Sequence, residues 1–258
     1  MSYDDILFER ADGVATLTIN RPESGNMFRH KTLTEMADAL RTLRDDPAVR
    51  VGVITGTGDK FFCIGGEHEP FQGLDHSVVL PVVEVYELID SIPKPIVAAV
   101  NGFAVGGGNV LHLVCDLTIA SDQAMFRQVG PLVGSFDAGF GTWYLEETIG
   151  RKRAKEMWYL NRKYDAGQAL AMGLVNEVVP HETLRRRVGE IAEELKLRGP
   201  QALAGLKAAF SARHAGVAGQ ARLAHDLLLT HYLLTEEAAE LSASFSEKRA
   251  ADQTRFNR

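Results

Sequence analysis

Cysteine is scarce in this chain: its 258 residues include only Cys63 and Cys115, each inside an apolar run. Two such residues make neither a disulfide framework nor a cysteine-rich metal centre, and they read as buried thiols of a reducing compartment. Long hydrophobic runs are missing too. No apolar stretch reaches the roughly 18 residues of a membrane span. The opening Met1-Ser2-Tyr3-Asp4-Asp5 has no basic segment leading into an apolar one, so a cytoplasmic protein without a membrane partner is expected. Positive charge is not in excess either. Lys and Arg number 28 against 34 Asp and Glu, a net charge of −6, which argues against general nucleic-acid binding because phosphate contacts need a concentrated basic face. A dinucleotide-binding G-x-G-x-x-G is absent, since after Gly106 and Gly108 the third position is Leu111. No P-loop, close cysteine-histidine cluster, internal repeat or low-complexity tract appears, so no metal site is expected.

What is present is ordinary for a globular chain, with 45% hydrophobic and 24% charged residues. That supports one large domain, or one domain with an appendage. Val14–Asn20 alternates in the strand manner and ends at the turn-rich Arg21–Gly25. Leu33, Met36, Ala37, Leu40 and Leu43 then repeat at helical spacing, with Thr32 and Glu35 placed as a capping box. Val51–Gly56 reads as a strand, and Val79, Val82, Val83, Tyr86 and Ile89 as a second amphipathic helix before Pro93. Strand and helix alternate, which predicts crossover units and a largely parallel sheet. Asp116–Ser121, Met125-Phe126 and Leu174–Pro180 add extended segments. From His181 onward the pattern is helical, with apolar stripes Leu184/Val188/Ile191/Leu195, Leu203/Leu206/Phe210 and Leu223/Leu227/Leu228.

Two glycine corners stand out. Pro95–Val105 is an apolar run that reads as a buried strand, followed by Gly106-Gly107-Gly108 and a helix start. Without a Cβ these glycines let a ligand approach the peptide N–H groups, and a helix's first turn leaves its N–H donors unpaired. Such a corner either holds an oxyanion or is only a tight turn. The second, Ile64-Gly65-Gly66-Glu67, follows Phe61-Phe62-Cys63. Two sets of preorganised N–H donors aimed at one carbonyl oxygen would stabilise the charge that develops there.

The pair FCxGG and NGxAxGGG resembles the crotonase (enoyl-CoA hydratase/isomerase) superfamily over nearly the whole chain. The resemblance implies an α/β fold with a β-β-α spiral core and a helical C-terminal region. Residues 1–195 would be the acyl-CoA-binding core, and residues 196–258 would serve oligomerisation and cover the site. It also implies an acyl-CoA substrate, no tightly bound cofactor, a homotrimer or homohexamer, and thioester-polarising N–H groups on Gly66 and Gly107. The two hydratase glutamates are missing, Val110 and Gly130 standing in their places, and neither side chain can move a proton.

The loop from Gln128 to Gly141 reads QVGPLVGSFDAGFG. It is similar to a narrower subgroup, 1,4-dihydroxy-2-naphthoyl-CoA synthase and 2-ketocyclohexanecarboxyl-CoA hydrolase. That similarity implies a bound bicarbonate as base, held by Gln128, Gly130 and Trp158, with glycine leaving room and the amide and indole N–H donating. Trp158 alone would read as a core aromatic. Ser135 and Asp137 match the subgroup's SxD pair: Asp137 would shuttle a proton and Ser135 would position a substrate oxygen. Alternatively, either caps the helix that follows. Arg29 and Lys248 match positions that contact CoA phosphates. His68 reads as a loop residue and His112 as structural. Two departures stand against the synthase: Leu233 lies at its C-terminal tyrosine position with Tyr232 adjacent, and the loop between Gly66 and Pro93 is shorter. The reading is therefore an acyl-CoA enzyme that makes or breaks a C–C bond next to the thioester, by ring opening or ring closure of a β-keto acyl-CoA. A hydratase or double-bond isomerase, and a non-catalytic CoA-binding protein, are the alternatives.

Overall fold

The computed structural model describes residues 3–67, 81–137, 139–216, 219, 230–252, 254 and 256. The chain forms two compact units, Met1–Ala204 and Gly205–Arg258. The first opens with β1 (Ile6–Ala11) and β2 (Val14–Ile19), antiparallel neighbours joined through Asp12 and Gly13. Both turn residues have positive φ, 49° and 78°, as a two-residue hairpin turn matched to strand twist demands. Helix α1 (His30–Asp45) follows.

A strand-strand-helix step then repeats. It runs β3 (Val51–Gly56), β4 (Phe61–Cys63) and α2 (Pro81–Ser91), then β5 (Ile96–Val100), β6 (Phe103–Val105) and α3 (Gly107–Leu113). The third step is β7 (Leu117–Ser121), β8 (Met125–Arg127) and α4 (Gly130–Val133). Helices α5 (Phe140–Ile149) and α6 (Arg151–Leu160), β9 (Tyr164–Asp165), α7 (Ala166–Ala171), β10 (Glu177–Val179) and α8 (Leu184–Lys196) complete the unit. The first strand of each step enters a six-stranded sheet of order β1-β2-β3-β5-β7-β10, parallel from β2 onward. The second enters a four-stranded sheet of order β4-β6-β8-β9. Each step thus advances one strand in both sheets, which is the β-β-α spiral.

Asn101-Gly102 is where the chain leaves one sheet for the other, so the apolar run that reads as one strand is two. The Asn101 side chain donates to the carbonyls of Gly56 and Gly58 at 3.0 and 2.6 Å. A side chain at Gly102 would collide with the Lys60 carbonyl. Both faces of the larger sheet are covered, and the strands alternate between them with a period of two. Ile54, Ile96, Ala98 and Val100 enter the main core with α1, α2 and α3 residues. Val51, Val53, Val97 and Ala99 pack instead on Leu184, Val188, Ile191 and Ala192 of α8, the expected stripe.

Helix α1 begins earlier than its apolar repeat suggests, which corrects the capping-box reading. Arg29 is the N-cap, and Thr32, at the third helical position, accepts its N–H at 3.2 Å. Glu35 reaches instead to the N–H groups of Asp4 and Asp5, at 3.2 and 2.8 Å. Val79 and the stripe Leu223/Leu227/Leu228 lie outside the described residues. In the second unit, Thr235 caps the helix Glu236–Glu247 by accepting the Ala238 N–H at 3.2 Å. Helix α9 (Pro200–His214) runs across the boundary between the units, and its Leu206 and Phe210 are exposed rather than packed as a stripe. Among the described residues no helix is long and apolar enough to cross a membrane.

His112 ties α3 to β7 as a buried neutral side chain. One ring nitrogen lies 3.1 Å from Asn109 Oδ1 and the other 3.2 Å from Thr118 Oγ1. Burial pushes its pKa down to about 3, against about 6.5 in the unfolded chain. Between those values only the unfolded state takes up the proton, so the stability contribution is complete above pH 6.5 and is lost as pH falls toward 3. Urea titrations of wild type and His112→Gln across that window should differ in slope by about 1.4 kcal/mol per pH unit, the variant being the flatter.

Candidate active site

The pairing of β4 with β6 brings the two glycine corners together, because each corner follows the C-terminal end of one of these parallel neighbours. Gly65 turns with φ 99° and Gly106 with φ 56°, backbone that side-chain-bearing residues rarely adopt. A β-carbon on Gly65 would stand 3.2 Å from the Gly107 nitrogen, so the corners touch. Gly66 and Gly107 also flank one ring: their β-carbons would stand 3.1 Å from Cε2 and 2.5 Å from Cζ of Phe28.

Phe28 is bridged to the Gly65-Gly66 corner, its N–H donating to Gly65 O at 2.9 Å and its carbonyl accepting Glu67 N–H at 2.9 Å. These bonds use the groups on either side of Gly66, so the residue's own N–H faces away from that strand. Among the described residues neither Gly66 N–H nor Gly107 N–H has an acceptor. Two adjacent free donors can hold one oxygen. The thiol beside them is closed off. Cys63 is fully buried, takes the Gly65 N–H on its sulfur at 3.5 Å, and has its pKa pushed up to about 12 by burial.

Two residues that build this corner escape sequence reading. Arg21, which reads as part of a loop, is buried; it donates to Met27 O at 2.7 Å and to Glu67 Oε1 at 2.5 Å, tying the Phe28 strand to the corner. Tyr86, which reads as one apolar position of a helix, donates its phenolic hydroxyl to Gly107 O at 3.1 Å. The one available signal was a tyrosine on an apolar stripe, since a buried hydroxyl needs an acceptor.

Asp137 comes to the same place. A β-carbon on Gly141 would stand 2.9 Å from Asp137 Cγ and 2.9 Å from Val110 Cγ2, so the carboxylate lies beside the valine in the missing glutamate's position. Burial first, and then the Asp137 charge, push the Tyr86 phenol well above its ordinary range. Asp137 Oδ1 also accepts the N–H groups of Gly139 and Gly141 at 3.0 and 2.8 Å, so it caps α5 as well. Ser135 is exposed, and its N–H donates to Gly130 O at 2.9 Å.

The expected anion site is corrected in two of its three members. Gln128 is fully buried and neither polar atom of its amide has a partner among the described residues, as a bound polar group would require. The space at Gly130, however, is taken by main chain: a β-carbon there would stand 2.5 Å from Ser135 O. Trp158 donates its indole N–H to Gly141 O at 3.0 Å, so that donor is committed. Asn161 holds Gln128 and Trp158 together through their carbonyls, at 3.0 and 2.9 Å. Of the three, only Gln128 keeps unpartnered polar side-chain atoms among the described residues.

Arg29 is likewise engaged. Its Nε and Nη2 each lie 2.8 Å from an oxygen of Asp5, and this pairing is the main cause that holds the Asp5 pKa down to about 2. The guanidinium's Nη1 makes no side-chain hydrogen bond among the described residues. Lys248 lies in the second unit, where it ends the helix Glu236–Glu247 with φ 54°. Tyr232 and Leu233 are in that unit too, both exposed, and His68 lies outside the described residues.

A β-β-α spiral thus brings together two glycine corners whose Gly66 and Gly107 N–H groups have no acceptor among the described residues, and this fold is that of a known class of enzymes. The enoyl-CoA hydratase/isomerase family profile matches residues 9–255, and the chain belongs to that family, within the crotonase superfamily of acyl-CoA enzymes. Among solved structures it is similar to DspI of Pseudomonas aeruginosa, with 26% identity, 98% of each chain covered and a TM-score of 0.80. An enoyl-CoA hydratase from Bacillus anthracis shares 30% identity over 96% of this chain and 98% of that one, with a TM-score of 0.75. A probable enoyl-CoA hydratase/isomerase from Mycobacterium abscessus shares 30% identity over 96% and 98%, with a TM-score of 0.76.

Gly108 packs against the end of β4, where a β-carbon would collide with the Cys63 carbonyl. Backbone cannot step aside as a side chain can. Gly108→Ala should therefore cost roughly 1–3 kcal/mol or more in urea unfolding. Gly189→Ala in α8, where a β-carbon meets nothing within 4 Å, should stabilise by roughly 0.5–1 kcal/mol.

Proposed function

We propose that this enzyme makes or breaks a C–C bond next to the thioester of a cyclic β-keto acyl-CoA in the cytoplasm, chiefly by ring opening. One observation carries this reading: the Asp137 carboxylate lies beside Val110, near a corner whose Gly66 and Gly107 N–H groups have no acceptor among the described residues, where valine and glycine occupy both hydratase glutamate positions. The thioester oxygen accepts from the two amides, and Phe28 fixes their spacing. Water adds to the β-ketone, with Asp137 moving its proton and Ser135 positioning the ketone oxygen. The ring bond then breaks as a carboxyl group forms, and its electrons pass to the α-carbon as an enolate that the amides stabilise. Protonation of that carbon completes the reaction. Ring closure runs the enolate the other way, onto a second carbonyl.

The free edge of Arg29 serves the CoA phosphates as a forked cation. Exposed Leu206, Phe210, Leu234 and Phe245 are in keeping with helices that meet other subunits in a homotrimer or homohexamer.

The names of the Bacillus and Mycobacterium relatives favour a second reading, hydration or isomerisation of an enoyl-CoA with Asp137 alone. Incubation with 2-ketocyclohexanecarboxyl-CoA should yield the product heavier by one water in mass spectrometry, faster than any turnover of trans-2-enoyl-CoA. The opposite order supports the hydratase. Asp137→Asn should cost about 10²–10⁴-fold in rate. Its melting temperature should hold, since an amide oxygen can still accept the Gly139 and Gly141 N–H groups. An unchanged rate would remove Asp137 from the reaction, and tight CoA binding with no turnover of either substrate would leave only a CoA-binding role.

A further inference from the structure

The Gly107 amide can polarise a thioester only if its direction is fixed, and glycine gives no steric help in fixing it. The peptide that carries this N–H is held at its other end, where Gly106 O accepts the Val110 N–H at 3.1 Å. Gly106 is also anchored by its own N–H, which donates to Arg127 O at 3.0 Å. Residue 107 has no side chain to pin it from the opposite flank. That flank is taken by Tyr86 of α2, whose hydroxyl donates to Gly107 O at 3.1 Å and would stand 3.4 Å from a β-carbon there.

The phenol is well placed to be a rigid prop. Tyr86 is buried, and its ring lies against Phe140 with centroids 5.5 Å apart. Burial and the nearby Asp137 carboxylate keep the hydroxyl protonated, so it remains a donor across the physiological range. An apolar ring alone would fill the same volume; the hydroxyl adds a bond to one of the two residues whose N–H groups the chemistry uses.

Resting on the thioester reading above, we infer that Tyr86 is a positioning residue that aims the Gly107 N–H at the thioester oxygen through its bond to the Gly107 carbonyl. It touches neither substrate nor reacting atoms. Its effect falls on the strength of the hydrogen bond in the oxyanion hole, and so on the rate of enolate formation more than on CoA affinity.

The thioester carbonyl stretch reports that bond directly and needs no turnover. Cyclohexanecarbonyl-CoA, which lacks the β-ketone, is labelled with 13C at the thioester carbonyl and bound to wild type and Tyr86→Phe, and difference infrared spectra are recorded. Wild type should lower the stretch relative to free ligand. Tyr86→Phe should lose most of that lowering while its dissociation constant and melting temperature change little. On 2-ketocyclohexanecarboxyl-CoA it should lose about tenfold in kcat at an unchanged KM, less than the loss from deleting a donor outright. Placing 3-fluorotyrosine at position 86 keeps ring and hydroxyl and should restore the lowering. If wild type lowers the stretch and Tyr86→Phe lowers it equally, Tyr86 has no such role while the oxyanion hole stands. If wild type itself leaves the stretch unmoved, the oxyanion hole fails and the role of Tyr86 falls with it. A 3-fluorotyrosine protein that behaves like Tyr86→Phe would also overturn the inference.

Discussion

Everything at the site depends on β4 and β6 being parallel neighbours in the smaller sheet. Parallel strands end on the same side, so whatever follows each strand emerges beside its neighbour's continuation. Here both strands run into glycine, and main chain meets main chain with Phe28 between. Were either strand displaced by one place, the two amides would face different neighbours. The larger sheet carries the hydrophobic mass that fixes this, with both faces buried, one against α1, α2 and α3 residues and the other against α8.

Around that junction the protein uses polar groups sparingly, and most have two duties. Asp137 caps a helix with one oxygen and lies beside Val110 and Tyr86. Arg21 joins Glu67 and Met27 across the turn that delivers Phe28. Asn101 and Asn26 both satisfy carbonyls where the chain crosses between sheets. An unpaired buried amide or carboxylate is costly, so these bonds keep an irregular, glycine-rich backbone in one arrangement. Gln128 departs from this, a buried amide neither of whose polar atoms has a partner among the described residues.

The glycine corners were legible in the sequence because their backbone geometry admits no other residue; Gly65 and Gly106 sit at positive φ, and Gly108 has no room for a side chain. Asp137 stood out from the wording of its loop, and the helix cap that the sequence offered as its other reading is formed. What the sequence could not show were distances between segments far apart in it. Gly130 seemed to leave a hole, yet Ser135 and Phe136 come back over it. Trp158 offers a donor, but the Gly141 carbonyl takes it. Tyr86 and Arg21 carried no local mark, because a helical aromatic and a loop cation look alike whether they hold a working corner or merely fill space. The division of the Pro95–Val105 run was hidden for a related reason: both halves are apolar, and only the carbonyls gathered by Asn101 show that the chain changes sheets.

The sulfur of Cys63 lies two residues from the first corner, fully enclosed and kept as the neutral thiol. Peroxide and alkylating agents attack the thiolate, and they must reach it first. Oxidants in a stressed cell and covalent thiol-directed reagents therefore find no handle at this corner.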